Sequence, residues 1–472
     1  MERDVLIVGA GSAGSILAER LSVDPSCHVT VVEAGPEPSD PRVAAQITDA
    51  LRLPIGAASS VVRHYASVLT EHPPRHAQII RGSVVGGSGA VNGGYFCRGL
   101  PGDFDRWAVP GWGWDDVLPH FRAIETDLDF DTSLHGDSGP ITVRRVREFD
   151  GCTASFVDAA MGAGFGWIDD LNGSTAATAL PAGVGAVPLN INGGNRVGPG
   201  GAYLQPALGR PNLQLVTDTR VARVLFRADQ AVGAQCEDGT VLSADRIVLC
   251  SGAIGSAHLL LLSGIGPAAE LAALGIEVVS DLPVGMHTVD HPEWVLPVSW
   301  TPTHDLPPLE AVLTTDDGIE VRPYTAGFSA MVHGPGHDPA ELPHLGVALM
   351  RPHSRGRVRL ASADPTLPPV IEHRYDTAAV DVDALRRGAE LARELVSRTA
   401  EVGQASWSTS QHLAGTAPMG TGAQAVLDPT CRVLGVENLW VVDGSIMPAI
   451  TSRGPHATIA MIGHRAAEFL AT

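Results

Sequence analysis

The sequence contains no lysine. All 32 of its basic residues are arginine, and they stand against 52 acidic residues for a net charge of −20 over 472 residues. Nucleic acid is excluded as a partner by this balance, because neutralising phosphates requires clustered cations. The arginine-only usage is what a GC-rich genome produces and carries no functional signal. Paired cysteines are also missing: Cys27, Cys97, Cys152, Cys236, Cys250 and Cys431 are dispersed, with no CxxC spacing. Neither a zinc cluster nor a disulfide framework is indicated, and a reducing cytoplasm is the expected compartment. No apolar run reaches the length of a membrane-crossing helix. The first strand is expected almost at Met1, which leaves no room for a signal peptide. A soluble, cytoplasmic protein is expected, with contact at the inner face of a membrane left open. His64, His72 and His76 lie close in sequence, but Pro73 and Pro74 break the helix that an HxxxH metal site needs, and only Glu71 accompanies them. No metal site is expected.

What is present is glycine and proline, 53 and 35 residues, within 44% hydrophobic residues. Such a composition suits a turn-rich α/β protein, and the length exceeds a single typical core, so two domains are expected. Residues 4–33 are the most readable unit. The apolar run Asp4-Val5-Leu6-Ile7-Val8 predicts a buried parallel strand, and Gly9-Ala10-Gly11-Ser12-Ala13-Gly14 follows without a gap. A helix is predicted over 15–21, then a second strand over 28–32 that ends in Glu33. Gly9 makes the tight turn, Gly11 lets a pyrophosphate approach the backbone, Gly14 lets the helix pack on the sheet, and Glu33 reaches a ribose. Strand, glycines, helix, strand and acid in register form a dinucleotide site that does not by itself separate FAD from NAD.

A second glycine cluster, Ile80-Arg81-Gly82-Ser83-Val84-Val85-Gly86-Gly87-Ser88-Gly89-Ala90-Val91-Asn92-Gly93-Gly94, lacks strand alternation and is too rich in glycine for a stable helix. Backbone free of side chains can lie flat against a large planar ligand. A flexible linker is the plain alternative, but the interleaved Arg, Val and Asn argue against a mere spacer. Near the C-terminus, His412 in Gln411-His412-Leu413-Ala414-Gly415-Thr416 and His456 in Ser452-Arg453-Gly454-Pro455-His456-Ala457-Thr458 are imidazoles suited to moving a hydroxyl proton near neutral pH. Among 18 histidines, most are surface or core residues, so the pair gains meaning only from the cofactor motifs.

Taken together these stretches resemble the glucose-methanol-choline oxidoreductases nearly end to end. Arg81 to Gly94 is similar to the family's first signature. Ser251-Gly252-Ala253-Ile254-Gly255-Ser256-Ala257-His258 with Ser263-Gly264-Ile265-Gly266-Pro267 is similar to its second. Lesser matches are His135 to Pro140, Asp290-His291-Pro292, Ser354-Arg355-Gly356, Asp364-Pro365 and Val441-Val442-Asp443-Gly444-Ser445. The resemblance implies FAD held by Gly9, Gly11, Ser12, Ala13, Gly14, Glu33, Ala34, Arg81, Val85, Gly86, Asn92, Gly93, Gly94, Ser251, Gly252, Asp443, Gly444, His456, Ala457 and Thr458, with the backbone of Val221 at the adenine edge. It implies catalysis by His412 and His456 on the flavin face. Val91 stands where members with covalent flavin carry His, which implies dissociable FAD.

The fold class expected is therefore α/β, a Rossmann-like doubly wound FAD-binding domain over 1–137, 203–287 and 410–472. An α+β substrate domain on an antiparallel sheet is expected over 138–202 and 288–409. Residues 213–216, 221–226 and 231–234 predict successive strands with a hairpin near Ala228, residues 172–201 read as loop, and 380–402 as a helix whose arginines form a solvated face. Trp107, Trp112 and Trp114 are expected to anchor packing. The expected reaction is oxidation of an alcohol to a carbonyl by hydride transfer to flavin, with His412 as base and His456 orienting the substrate oxygen. The stretch Gly86 to Gly99 is similar to the mycofactocin-system branch, which implies mycofactocinol as donor and delivery of electrons to respiration. Oxygen or a quinone is an alternative acceptor, a small choline-like or aryl alcohol an alternative substrate, and a non-catalytic flavin relay a different class altogether.

Overall fold

The computed structural model describes residues 3–175, 180–334, 338 and 341–471. Its first layer is a five-stranded, all-parallel sheet in the order Leu213–Val216, Cys27–Val32, Arg3–Val8, Arg246–Leu249, Leu439–Val441. The central strand is apolar on both faces, with Val5, Leu6, Ile7 and Val8 all buried, as a parallel strand covered by helices requires. Helix Ser12–Leu21 covers one side and the terminal helix His456–Ala471 packs on it. The two helices approach closely because position 463 is glycine: a Cβ there would sit 2.7 Å from the Ala13 carbonyl oxygen. Trp107 and Trp112 are buried anchors whose indole N–H groups donate to the carbonyls of Ala449 and Pro429.

The second layer is a six-stranded antiparallel sheet, ordered Ser406–Thr409, Pro292–Pro297, His344–Leu349, Ile319–Pro323, Ala311–Thr314, Gly183–Ala186. Its strands alternate. Ile319, Val321, Leu345 and Val347 face the helix Ala379–Val396 and form an apolar core with Leu385, Ala389 and Ala392. Glu320 and Arg322 occupy the intervening positions, buried although charged, and so point to the opposite face. Arg386 and Arg387 of the covering helix are exposed and pair with Asp383 and Asp317, the solvated face expected of them. The chain is thus α/β, a doubly wound parallel sheet joined to an antiparallel one.

Several local expectations change. The edge strand Gly183–Ala186 lies within the stretch read as loop, of which 176–179 fall outside the described residues. Its four residues GVGA offer little β signal, and its register is supplied by Ala311–Thr314. Leu213–Val216 is not part of the following hairpin but the edge of the parallel sheet. The hairpin Val221–Arg227 with Gln230–Cys236 forms as expected. The helix after the first glycines begins at Ser12 rather than Ser15. Ile80, Arg81 and Gly82 end a strand, Pro74–Gly82, paired with Val62–Glu71. His64, His72 and His76 are strung along that hairpin.

Candidate functional site

A cavity of about 890 Å³ is lined both by strand ends of the parallel sheet and by strands of the antiparallel one. At the sheet end the backbone is shaped by glycine. Gly9 has φ +108°, and a Cβ on it would fall 2.6 Å from the Cys250 carbonyl oxygen. Gly14 has no room either, its Cβ falling 2.1 Å from the Gly9 carbonyl oxygen. The helix N-terminus at Ser12 carries no side-chain cap, so its free amides face the cavity and favour an anion. Glu33 is buried at the tip of the next strand, one oxygen accepting from Ala10 N at 2.9 Å and the other from Gly35 N at 2.9 Å. Across the sheet, Asp443 accepts from Gly252 N at 2.8 Å, tying the two remaining strand ends together.

Of the residues named from sequence, Gly9, Gly11, Ser12, Ala13, Glu33, Ala34, Arg81, Asn92, Gly93, Val221, Ser251, Gly252, His412, Asp443, Gly444 and His456 all line this cavity. Six stand behind its wall. Gly14 is packed against Gly9, Val85 is core, and Gly86 donates to the Ala10 carbonyl at 2.7 Å. Gly94 abuts Ile191, while Ala457 and Thr458 are enclosed in the first turn of the terminal helix.

The two histidines carry opposite tautomers. Asn92 receives the Gly94 N–H on Oδ1 at 3.0 Å, which turns its Nδ2 toward His456 Nδ1 at 3.0 Å. His456 Nδ1 must then accept, so the neutral ring keeps its proton on Nε2. That Nε2 is buried without a hydrogen-bond partner. His412 is set the other way. His291 Nε2 lies 3.0 Å from the Thr451 carbonyl oxygen and must donate to it, leaving His291 Nδ1 as acceptor for His412 Nδ1 at 2.9 Å. A neutral His412 therefore presents a bare Nε2. Asp290 fixes both backbones, its Oδ1 accepting from His291 N at 2.8 Å and His412 N at 2.9 Å, while Oδ2 accepts from Tyr375 and Thr409 hydroxyls at 2.8 and 2.9 Å.

Burial pushes His412 well below its ordinary value, aided by His291, Arg322 and Arg81. Burial, then Arg196, pulls His456 down to about 4. Both rings are neutral at pH 7. The same holds for His120, His258, His291, His373 and His464, all lowered to about 4 chiefly by burial. Because these folded values lie below the unfolded one, the unfolded chain binds more protons between pH 6.5 and 4, and stability falls as the pH drops through that window. Melting temperature should accordingly be lower at pH 5 than at pH 7.5, and a pH-independent melt would contradict these assignments.

Gln411, at φ +64°, swings His412 inward and accepts from Ile80 N at 3.0 Å. Glu293, Arg322, Tyr324 and Ser410 share the wall beside His412. Sequence analysis assigns none of these a role, nor His291 and Asp290 beyond their place in a matched motif. Among the described residues, one group has metal-ligand spacing, Glu125, Asp127 and His135. Arg98 takes Glu125 Oε1 and Arg145 both oxygens of Asp127 at 2.9 Å, while Glu125 Oε2 is buried without a hydrogen-bond partner. Burial works against charge on His135, but the hydrogen bonds its ring donates to Asp127, Asp170 and Glu125 prevail and hold it at about 10.

The cavity fits a flavin dinucleotide: an uncapped helix N-terminus for pyrophosphate, a buried carboxylate for ribose, and an orphaned imidazole N–H beside Gly89 and Ser12. Comparison with known proteins agrees. The GMC oxidoreductase family models match residues 3–293 and 352–463. The chain belongs to the GMC oxidoreductase family. It is 41% identical, over 99% of its length and 98% of the relative's, to an uncharacterised GMC-type oxidoreductase of Rhodococcus erythropolis encoded in the thcA 5′ region. It is 32% identical to an oxygen-dependent choline dehydrogenase of Brucella ovis, covering 100% of this chain and 96% of that one. Pyridoxine 4-oxidase from Mesorbium loti has a similar structure, with a TM-score of 0.88, 29% identity, and 99% and 98% of the two chains covered. This GMC oxidoreductase is an FAD-dependent enzyme acting on CH–OH donors. Among its described residues no helix is long and apolar enough to cross a membrane.

Proposed function

We propose that His412 Nε2 takes the hydroxyl proton of an alcohol while His456 Nε2–H holds the same oxygen. Opposite tautomers support this reading: neutral His412 keeps a lone pair on Nε2 and neutral His456 keeps a proton on Nε2, the two functions that one hydroxyl needs. The non-covalently held flavin, when bound, supplies the acceptor for the carbinol hydride. The chain's part is to hold a neutral base against the hydroxyl, donate to the oxygen from the opposite side, and exclude water by the enclosing sheet. Ser12, Ala13 and Glu33 hold the dinucleotide end, Arg81, Asn92 and Gly93 the ring end. The FAD-binding unit comprises 1–137, 203–287 and 410–472, and the substrate unit 138–202 and 288–409.

His291 is a positioning residue for His412. Replacing it by Phe removes the acceptor for His412 Nδ1–H, and the rate of flavin reduction should fall about 10–100-fold, as when a supporting ligand contact is lost, with KM little changed. An unchanged rate would remove the tautomer argument. For the physiological donor we infer mycofactocinol, with electrons passed to a respiratory acceptor; the similarity of Gly86 to Gly99 to that branch supports it. Anaerobic bleaching by mycofactocinol with slow recovery in air is the expected result. Fast bleaching by simple alcohols with fast recovery would make the protein an oxidase of small alcohols instead.

A further inference from the structure

We propose that the site selects an uncharged alcohol on an apolar body and disfavours cationic alcohols such as choline, with the Glu293–Arg322 pair as the specificity-determining element. This rests on the alcohol-oxidising reading above. Four carboxylates line the cavity, Glu33, Glu237, Glu293 and Asp443. Glu33 is committed to the amides of Ala10 and Gly35. Asp443 is committed to Gly252, Ser256 and Ser445, and Glu237 lies 3.4 Å from Arg220. Of these four, Glu293 is the one bonded to Ser410, two positions before His412.

Glu293 is not available to a cation. Its Oε1 accepts from the Tyr324 hydroxyl at 3.0 Å, and its Oε2 from Arg322 Nη1 at 2.9 Å and the Ser410 hydroxyl at 2.7 Å. Arg322 faces the same cavity. Its Nε donates to Glu320 at 2.8 Å, and Glu320 in turn accepts from the Tyr95 hydroxyl at 3.0 Å and lies 3.7 Å from Arg453. Two carboxylates and two guanidinium groups, none with a side chain more than 5% exposed, balance to zero. A buried cation needs a partner of its own, and here it would find a carboxylate already taken and a guanidinium beside it. The same positive charge depresses proton binding at His412. Tyr95, Pro308, Leu309, Tyr324 and Phe328 line the cavity as well, among polar Ser329, Ser408 and Gln411, and offer a surface for an apolar or aromatic body. Aromatic faces attract cations, but a guanidinium hydrogen-bonded within the same wall opposes that attraction.

The test uses the oxidised holoenzyme, choline, and its uncharged carbon isostere 3,3-dimethylbutan-1-ol. Binding is measured by calorimetry and oxidation separately by anaerobic flavin bleaching. The isostere should bind at least ~10-fold more tightly than choline, a ratio equivalent to about 1.4 kcal/mol. Choline binding as tightly or more tightly overturns the proposal. Arg322→Met uncovers the Glu293 carboxylate and should shift the ratio toward choline; a flavin-loaded R322M that keeps the wild-type ratio removes Arg322 from the argument. Should R322M fail to fold, the wild-type ratio decides alone. If the isostere binds preferentially yet neither it nor mycofactocinol bleaches the flavin, selectivity stands and the alcohol-oxidising reading fails.

Discussion

Replacing His412 by Ala should slow flavin reduction by alcohol about 10²–10⁴-fold, the span a positioned general base supplies, with the melting temperature and flavin content almost unchanged. Asp290 still holds the backbone at position 412 through its amide, so the fold has little to lose. His456 would remain as a donor to the substrate oxygen, but nothing would be left to accept the proton. The wild-type rate should also be flat between pH 6 and 9, because His412 is held well below its ordinary value by burial and by neighbouring His291, Arg322 and Arg81. Measurement is by anaerobic stopped-flow at 450 nm, roughly the usual flavin band. A variant that reduces its flavin as fast as wild type would take His412 out of the reaction.

Gly14→Ala should yield protein that purifies without flavin. A methyl there meets the Gly9 carbonyl oxygen at 2.1 Å and Cys250 Cβ at 3.0 Å. The carbonyl is backbone of the same fingerprint, so the helix must leave the sheet, and the pyrophosphate cradle opens with it. Overpacking of this kind costs about 1–3 kcal/mol, and misplacing the uncapped helix N-terminus removes the phosphate amides as well. The ratio of flavin to protein absorbance reads the result directly. Gly162→Ala is the control, because a Cβ there meets nothing within 4 Å; it should leave flavin content and melting temperature where they are. Full flavin content in G14A would show that the close helix packing is not what builds the site.

The legible parts of the molecule are those whose signal is local. The first glycine motif and its flanking strands sit within 3–33 and need no distant partner to be recognised, and the parallel sheet around them follows from their apolar runs. Less visible is anything defined by contact across the chain. His291 stands 121 positions from His412, and only the fold makes it the acceptor that fixes the tautomer. The Glu293–Arg322–Ser410 cluster joins three strands or strand ends separated by 29 and 88 positions. Gly183–Ala186 has too little side chain to read as a strand and is one only because Ala311–Thr314 offers it an edge. The signature glycines show a graded outcome: some open onto the cavity, whereas Gly14, Gly86 and Gly94 let backbone segments pack behind it.

The most direct measurement is anaerobic mixing of the oxidised holoenzyme with mycofactocinol, once as the normal compound and once deuterated at the carbinol carbon. The account predicts complete loss of flavin absorbance, slower with the deuterated alcohol and absent on that timescale in His412→Ala. Flavin that stays oxidised with every alcohol, or bleaches at a rate indifferent to both the label and the substitution, would contradict it.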